Sequence, residues 1–256
     1  MSASDAVTVE SVGATRVLTL NRPGSLNAFD DELHAALPAA LAEVEQDRDA
    51  RVIVITGAGR AFSAGGNLDD FPLLAGDLAR RRATLRAGRR LFQELLEVHL
   101  PVIAAVNGPA VGLGCTIATA CDFVLVSDQA FLADPHVQVA LVAGDGGAIT
   151  WPLNVGLLRA KQYLLTGDRI SPDVAVELGL ATRVVAANRL MEEAHVLADK
   201  LAALPPQAVQ DTKSLLNQPL RLAAVTSLGF GLAAESQSHD TEEYRAVPEK
   251  LRARKG

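Results

Sequence analysis

One stretch, residues 100–127 with the sequence LPVIAAVNGPAVGLGCTIATACDFVLVS, constrains the fold more than any other. Residues 101–106 are a continuous apolar run of strand length, which the turn-forming sequence Asn-Gly-Pro at 107–109 ends. Glycines then allow a tight bend, and residues 116–121 are typical of the first turns of a packed helix. A turn that opens into a helix leaves backbone amides without intrahelical partners, so these amides can bind a developing oxyanion.

Composition and charge exclude several classes of function. The 256 residues can bury a sizeable core, as one large domain or as a domain with an appendage. With 24 basic and 30 acidic residues the net charge is −6, which predicts no nucleic-acid or anionic membrane partner. No apolar run is long enough to span a membrane, because polar residues and glycines interrupt the longest one.

Several known catalytic motifs are missing from the sequence. There is no G-x-S-x-G elbow, H-E-x-x-H motif or P-loop, and the five histidines lack metal-ligand spacing, so no metal is expected. Gly112 and Gly114 could begin a dinucleotide fingerprint, but Ile117 replaces its third glycine. Cys115 and Cys121 would face different sides of a helix, and free thiols without a signal peptide predict a cytoplasmic protein.

Strands and helices alternate along most of the chain, and the last quarter is helical only. This order predicts an α/β core followed by a helical appendage. The pattern predicts strands at 7–10, 16–20, 52–56, 101–106, 123–126, 130–132 and 181–185, and helices after Asp30 or Asp31, at 77–98, 116–121, 144–155, 157–165 and 172–178, from 189 onward with a break at Pro205-Pro206, and at 241–254.

Five motifs in one order resemble the crotonase (enoyl-CoA hydratase/isomerase) superfamily. They are Asn-Arg-Pro to Leu-Asn-Ala at 21–28, the strand with Thr-Gly at 52–57, Ala-Phe-Ser-Ala-Gly-Gly-Asn-Leu at 61–68, the stretch ending in Cys-Asp at 122, and Gly-Asp-Gly-Gly at 144–147. The resemblance implies a spiral of repeated ββα units at 1–197 and a helical trimerisation region at 198–256. It also implies a homotrimer or homohexamer, for which the apolar stretch 220–234 suits an intersubunit helix.

The resemblance also assigns residues that bind an acyl-CoA thioester. Gly66 and Leu113 would donate their N–H groups to the thioester carbonyl, because proton removal next to a thioester makes an enolate. Coenzyme A, as part of the substrate and not as a tightly bound cofactor, would contact the loops that contain Ser25, Leu26, Ala28, Ala64, Gly66, Asn67 and Leu68. The alternative is that these segments are only tight turns, and that Leu26 and Leu68 are core residues.

The acid and base residues depart from the family pattern. Family hydratases use two glutamates, and Thr116 and His136 stand in those positions here. Asp145 follows a glycine and could be a catalytic carboxylate or a helix N-cap. His136 could shuttle a proton or only bond to the backbone, and Thr116 could hold a water or the His136 ring, or cap a helix. The remaining histidines, His34, His99, His195 and His239, are expected on the surface.

Two functions of different classes remain open at this stage. The first is an enzyme that hydrates an enoyl-CoA or moves its double bond through an enolate held by Gly66 and Leu113, with Asp145 and His136 as base and acid. In a variant of this enzyme hypothesis, Asp145 is the nucleophile of a hydrolase or dehalogenase. The second is an acyl-CoA-binding protein without catalysis. The arginine-rich helix at 77–98 could be a solvated face or could lie near the phosphates of coenzyme A.

Overall fold

The structure is a computed structural model that describes residues 5–247. A six-stranded sheet in the order β1-β2-β3-β4-β6-β8 forms its centre, and a two-stranded sheet, β5-β7, lies beside it. The strands are β1 (Val7–Val12), β2 (Thr15–Leu20), β3 (Val52–Gly57), β4 (Val102–Val106), β5 (Ala110–Val111), β6 (Phe123–Ser127), β7 (Leu132–Ala133) and β8 (Arg183–Val185).

Helices follow most strands and dominate the last part of the chain. They are α1 (Asp31–Gln46), α2 (Phe71–Gly76), α3 (Leu78–Glu97), α4 (Leu113–Ala120), α5 (Gly147–Val155), α6 (Leu157–Leu164), α7 (Pro172–Leu178), α8 (Leu190–Ala202), α9 (Pro206–Leu216), α10 (Gln218–Ser238) and α11 (Glu242–Arg245).

The sheet is parallel except for its first pair, and the burial of its strands explains their composition. β1 and β2 form an antiparallel hairpin, whereas β2, β3, β4, β6 and β8 pair in parallel. All residues of β3 and β4 are buried, because helices cover both faces, and such strands are continuous apolar runs. The small sheet is separate from the large one, and in it β5 pairs in parallel with β7, with Ala110 opposite Leu132. This arrangement is the predicted crotonase-type α/β fold.

Local signals set most helix boundaries. Asp30 accepts a hydrogen bond from the Leu33 N–H over 2.8 Å and caps α1, and Asp77 caps α3 by accepting from two backbone amides. The expected start of α4 at Thr116 is wrong, because the helix begins three residues earlier at Leu113. Gly112 makes the corner there with a φ of 50°, a conformation that favours glycine.

The C-terminal helices pack on two sides of the core. α8 covers one face of the sheet, where Leu190, Ala194 and Ala198 join the buried strand residues. α10 packs against α3 and α5 on the side that holds the cavity described below. The boundary expected after residue 197 falls inside α8, and the division into two regions stays a proposal.

A few elements differ from the sequence prediction. The strand expected at 130–132 is β7 at Leu132–Ala133, the strand expected at 181–185 begins at Arg183, and α2 was not predicted. The predicted terminal helix at 241–254 corresponds to α11 up to Arg245, and the part from residue 248 lies outside the described residues. Cys115 and Cys121 are free thiols, as expected. No helix within residues 5–247 is both long and apolar enough to cross a membrane.

Candidate active site

A cavity of about 560 Å³ is lined by the residues that the sequence assigned to the site, apart from Thr116. The loops after β2 and β3, the start of α4, the 3₁₀ turn at His136 and helix α10 form its walls. Every residue expected to bind coenzyme A lines it: Ser25, Leu26, Ala28, Ala64, Gly66, Asn67 and Leu68. A cavity of about 820 Å³ elsewhere, against α9, contains none of the predicted site residues.

Buried hydrogen bonds hold the two coenzyme A loops together. Asn27, which is fully buried with a φ of 55°, donates from its side chain to the carbonyl oxygens of Ala58 and Ala61 over 2.9 and 2.8 Å. Ser63 Oγ donates to the Asn27 carbonyl, and the Ala64 N–H donates to the Leu26 carbonyl over 2.9 Å. These bonds fix the backbone of both loops before any ligand binds.

The structure clarifies the environment of two residues expected to contact coenzyme A, Leu68 and Asn67. Leu68 is 47% exposed, so it is not a core residue, and its side chain lies at the mouth of the cavity. Asn67 accepts a hydrogen bond from the Asp69 N–H over 3.2 Å, which assigns its side chain to capping a short turn.

The predicted oxyanion donors lie on two segments in direct contact. Gly65 has a φ of 85°, and a methyl group added to it would lie 2.6 Å from the carbonyl oxygen of Val111. Only a glycine therefore lets the Gly66 loop approach the turn that precedes Leu113. Leu113 is the first residue of α4, and within residues 5–247 no acceptor pairs with its N–H or with that of Gly66. Both donors line the cavity and are available to a carbonyl oxygen.

Thr116 is hydrogen-bonded to Asp145, which lines the cavity. The Thr116 hydroxyl donates to Oδ1 of Asp145 over 2.9 Å, and both side chains are buried. Helix α5 begins at Gly147, and its N-cap residue is Gly146, so Asp145 is not the N-cap. The Gly147 N–H reaches Oδ1 at 3.5 Å, which is a long and weak contact. Thr116 lies inside α4 and does not cap that helix.

His136 lies between two carboxylates. Its Nδ1 contacts Oδ1 of Asp134 in a short hydrogen bond, and its Nε2 lies 3.5 Å from Oδ2 of Asp145. The ring is buried and lines the cavity, and it bonds to Asp134 rather than to the backbone. The structure therefore joins Thr116, Asp145, His136 and Asp134 in one chain of polar contacts.

This arrangement shifts the pKa values of its members. Burial alone would lower the pKa of His136, but the charges of Asp134 and Asp145 and the hydrogen bond to Asp134 outweigh it, so the pKa is raised well above 6.5. Burial raises the pKa of Asp145 above its usual value, while His136 and the hydrogen bond from Thr116 oppose the rise. These shifts favour a proton on His136 Nε2 at neutral pH, next to the Oδ2 atom of Asp145.

The same residues are the candidate metal ligands among those described. Asp134, His136 and Asp145 place one ligand atom each within 4.8 Å of one another. The two carboxylates, however, contact opposite nitrogens of the imidazole ring. A metal ion uses one ring nitrogen of a histidine, so this geometry favours a hydrogen-bonded chain over a shared ion.

Sequence reasoning missed Asp134, which contacts His136, and three residues that line the cavity. Asp134 orients His136 from two positions away, a spacing that was visible in the sequence. Glu235 is a buried carboxylate that α10 brings to the cavity wall, and a lone acid after the apolar run 220–234 was its only signal. His34 and His239 were expected on the surface, but both are buried and line the cavity. His34 lies on the buried face of α1, and its Nδ1 contacts the Asp30 carbonyl.

The arginines of helix α3 lie in three different settings, and a role near the phosphates of coenzyme A stays a prediction. Arg90 pairs with Glu94 at the surface, and Arg80 pairs with Asp31 and Asp70 at the cavity rim. Arg81 is only 5% exposed, lines the cavity and pairs with Asp240 through two hydrogen bonds of 2.9 and 3.2 Å. That pair ties α3 to the end of α10.

Comparison with known proteins agrees with this geometry. Residues 10–252 match the family described as enoyl-CoA hydratase/isomerase. A short-chain-enoyl-CoA hydratase of Clostridium acetobutylicum is 32% identical over 240 residues, which cover 93% of this chain and 91% of the relative. The 2,3-dehydroadipyl-CoA hydratase of Escherichia coli is 36% identical over 222 residues, covering 86% of this chain and 84% of the relative.

A solved structure agrees over nearly the whole length. The crystal structure of an enoyl-CoA hydratase/isomerase from Mycobacterium paratuberculosis has a TM-score of 0.93 and 48% sequence identity, and the match covers 98% of this chain and 100% of that one. The chain belongs to the enoyl-CoA hydratase/isomerase family of the crotonase superfamily. It is an enzyme of the lyase or isomerase type.

Proposed function

We propose that this enzyme adds water reversibly to the double bond of an α,β-unsaturated acyl-CoA thioester. The observation that carries the proposal is the contact between His136 Nε2 and Asp145 Oδ2 in the cavity wall. It supplies an acid and a base side by side, in the cavity that also holds two backbone amides without an acceptor among residues 5–247. The relatives from Clostridium acetobutylicum and Escherichia coli described above are both named as hydratases, which favours hydration over double-bond migration.

In the proposed reaction the thioester carbonyl accepts hydrogen bonds from the Gly66 and Leu113 N–H groups. Asp145 takes a proton from a water molecule as the water oxygen bonds to the β carbon. The electron pair of the double bond moves toward the carbonyl and forms an enolate, whose negative charge the two amides stabilise. His136 then donates its Nε2 proton to the α carbon, which gives the β-hydroxyacyl-CoA.

Asp145 and His136 can return to their starting protonation states after each turnover. Asp145 ends the reaction protonated, and His136 ends it neutral. Because Asp145 Oδ2 and His136 Nε2 are 3.5 Å apart, a small movement brings them within hydrogen-bond distance, and the proton can return to the ring. The Asp134 carboxylate favours that return because it stabilises the imidazolium through Nδ1.

Coenzyme A in this proposal is part of the substrate. Its binding would use the two loops that Asn27 holds together, with the thioester placed between Gly66 and Leu113. The acyl group would extend toward His136, Asp145 and α10, in the inner part of the cavity. We also propose a homotrimer or homohexamer, with the helices after residue 197 forming the contacts between subunits.

Product analysis in water labelled with heavy oxygen tests the proposal. Incubation of the protein with short- and medium-chain α,β-enoyl-CoA should consume the enoyl absorbance and give a β-hydroxyacyl-CoA that carries one labelled oxygen. A β,γ-enoyl product without label would instead indicate an isomerase. Release of free coenzyme A from the thioester would indicate the hydrolase alternative, and tight binding without any product would indicate a binding protein.

A further inference from the structure

Glu235 is a cavity residue that the reaction proposed above leaves unused. Its side chain is 8% exposed and shares the cavity wall with His136 and Asp145. Helix α10 comes so close to this wall that a methyl group added to Gly144 would lie 2.4 Å from the carbonyl oxygen of Gly231 and 2.8 Å from Glu235 Oε2. Since Gly144 directly precedes Asp145, the carboxyl group of Glu235 lies against the loop that carries the base.

Two carboxyl oxygens at this place accept no hydrogen bond from the described residues, although Asp145 Oδ2 lies 3.5 Å from His136 Nε2. Glu235 Oε2 and Asp145 Oδ2 are both buried, and no residue of the described chain donates a hydrogen bond to either. Buried polar atoms are nearly always paired, with protein or with an ordered water. A single water can satisfy two such oxygens where the space admits it, and the cavity of about 560 Å³ that both residues line has room for one.

Burial and the neighbouring charged groups set the protonation state of the Glu235 carboxyl group. Burial raises the pKa of Glu235 to about 8, the charges of Asp145 and Asp134 add to the rise, and His136 opposes it. Tyr244 on α11 also faces Glu235, and burial and the charge of that glutamate raise its pKa.

The other elements packed on α10 leave this charge state unchanged. α5 has no titratable residue, and Arg81 on α3 is paired with Asp240. The ring of His239 contacts the backbone carbonyl oxygen of Glu235 rather than its carboxyl group. The carboxyl group therefore carries a proton at neutral pH, while Asp145 is the neighbour that can accept one.

We propose that Glu235 is a further catalytic residue, which holds the nucleophilic water between its own carboxyl group and that of Asp145. This inference rests on the proposed hydration reaction. The O–H group of Glu235 donates to the water oxygen, and the water donates to Asp145 Oδ2. As the new bond to the β carbon forms, the water proton passes to Asp145, and Glu235 keeps its own proton.

Substitution of Glu235 tests this role against a merely structural one. E235Q keeps the shape and an N–H donor but cannot ionise, whereas E235L keeps bulk and loses the donor. In E235L we expect kcat/KM for an enoyl-CoA to fall about a hundredfold, with coenzyme A affinity and melting temperature close to wild type. E243Q, which removes an exposed carboxylate of α11, is the matched control and should behave as wild type.

The pH profile separates the possible outcomes. Wild-type kcat/KM should decline as the pH rises through about 8, because Glu235 loses its proton, whereas E235Q should lack this decline and lose activity only where His136 loses its own proton. Wild-type rates in E235L, or an unchanged decline in E235Q, would overturn the role of Glu235 and leave the hydration proposal standing. A wild type that adds no water to any enoyl-CoA would overturn both. If E235L does not fold, the profile of E235Q decides.

Discussion

The hydroxyl group of Thr116 donates a hydrogen bond over 2.9 Å to Oδ1 of Asp145, a residue that lines the cavity. This bond leaves Oδ2 of Asp145 facing His136 Nε2. The threonine thus positions a carboxylate that comes from a loop 29 residues further along the chain.

Removal of this hydroxyl should change the pH dependence of turnover. The hydrogen bond from Thr116 lowers the pKa of Asp145 against the effect of burial, so T116V should raise that pKa. The acid limb of kcat/KM should then move to higher pH, and kcat at neutral pH should fall roughly tenfold. T116S keeps the hydroxyl and serves as the control. An acid limb in T116V at the wild-type pH would contradict this role.

The two oxyanion donors can be removed one at a time. Leu113 is the first residue of α4, where proline is tolerated, so L113P should remove the N–H with little damage to the helix. L113A keeps the N–H and controls for the lost side chain. We expect kcat to be at least about a hundredfold lower in L113P than in L113A. Similar rates in two folded variants would mean that the Leu113 amide does not bind the carbonyl.

Gly66 gives a second, independent test of the same site. A methyl group added to Gly66 meets no atom within 4 Å, so G66A keeps the amide and should fold. G66P removes the N–H donor and restricts the loop, and its activity should fall at least about a hundredfold below that of G66A. Melting curves of both variants distinguish loss of the donor from loss of the fold, and equal activity would exclude Gly66 as a donor.

Much of the fold was predictable because its signals are local. The hairpin of β1 and β2, the Asp caps of α1 and α3, and the buried runs of β3 and β4 each depend on residues a few positions apart. The two loops with Gly66 and Leu113 were also recognised, since their glycines serve the close approach itself. The start of α4 was missed because the φ of Gly112 depends on the surrounding chain and not on a capping side chain.

The acid and base arrangement could not be predicted in the same way. Asp145 was a candidate from its place after a glycine, but its bond to Thr116 depends on how α4 and α5 pack. Glu235 reaches the cavity from 90 positions beyond Asp145, because Gly144 and Gly231 let α10 approach the loop. A contact between two segments so far apart along the chain cannot be predicted from the periodicity or spacing of a single sequence. His34 and His239 were misplaced for the same reason, since helix packing buries them.

Protein stability should also depend on Glu235. The folded-state pKa of about 8 is above the usual 4.5, so the glutamate favours folding below pH 4.5, and this contribution is lost as the pH rises through 8. E235Q cannot ionise, and its melting temperature should exceed that of wild type by several degrees at pH 9 and by little at pH 4.5, since each kcal/mol corresponds to roughly 2–4 °C. A constant difference across this range would show that Glu235 does not titrate in the folded protein.

Helix α10 has an outer face that suits contact with other subunits. Leu222, Val225 and Phe230 are 66%, 80% and 79% exposed, while Leu228 and Leu232 on its inner face are buried. Such an apolar face indicates an interface. We expect a trimer or hexamer in sedimentation at micromolar concentration, and F230E should weaken it, whereas a glutamate at Val9 on the outer strand should not. A monomeric wild type would contradict this assignment.

The turnover of D145N tests the central claim most directly. Asparagine keeps the size of the side chain and can still accept from Thr116, but it cannot take a proton from water. We predict that D145N lowers kcat on an enoyl-CoA by roughly a hundredfold or more, with melting temperature and coenzyme A affinity little changed, and that H136Q lowers it less. Turnover of D145N at the wild-type rate, on a substrate that the wild type hydrates, would contradict the claim.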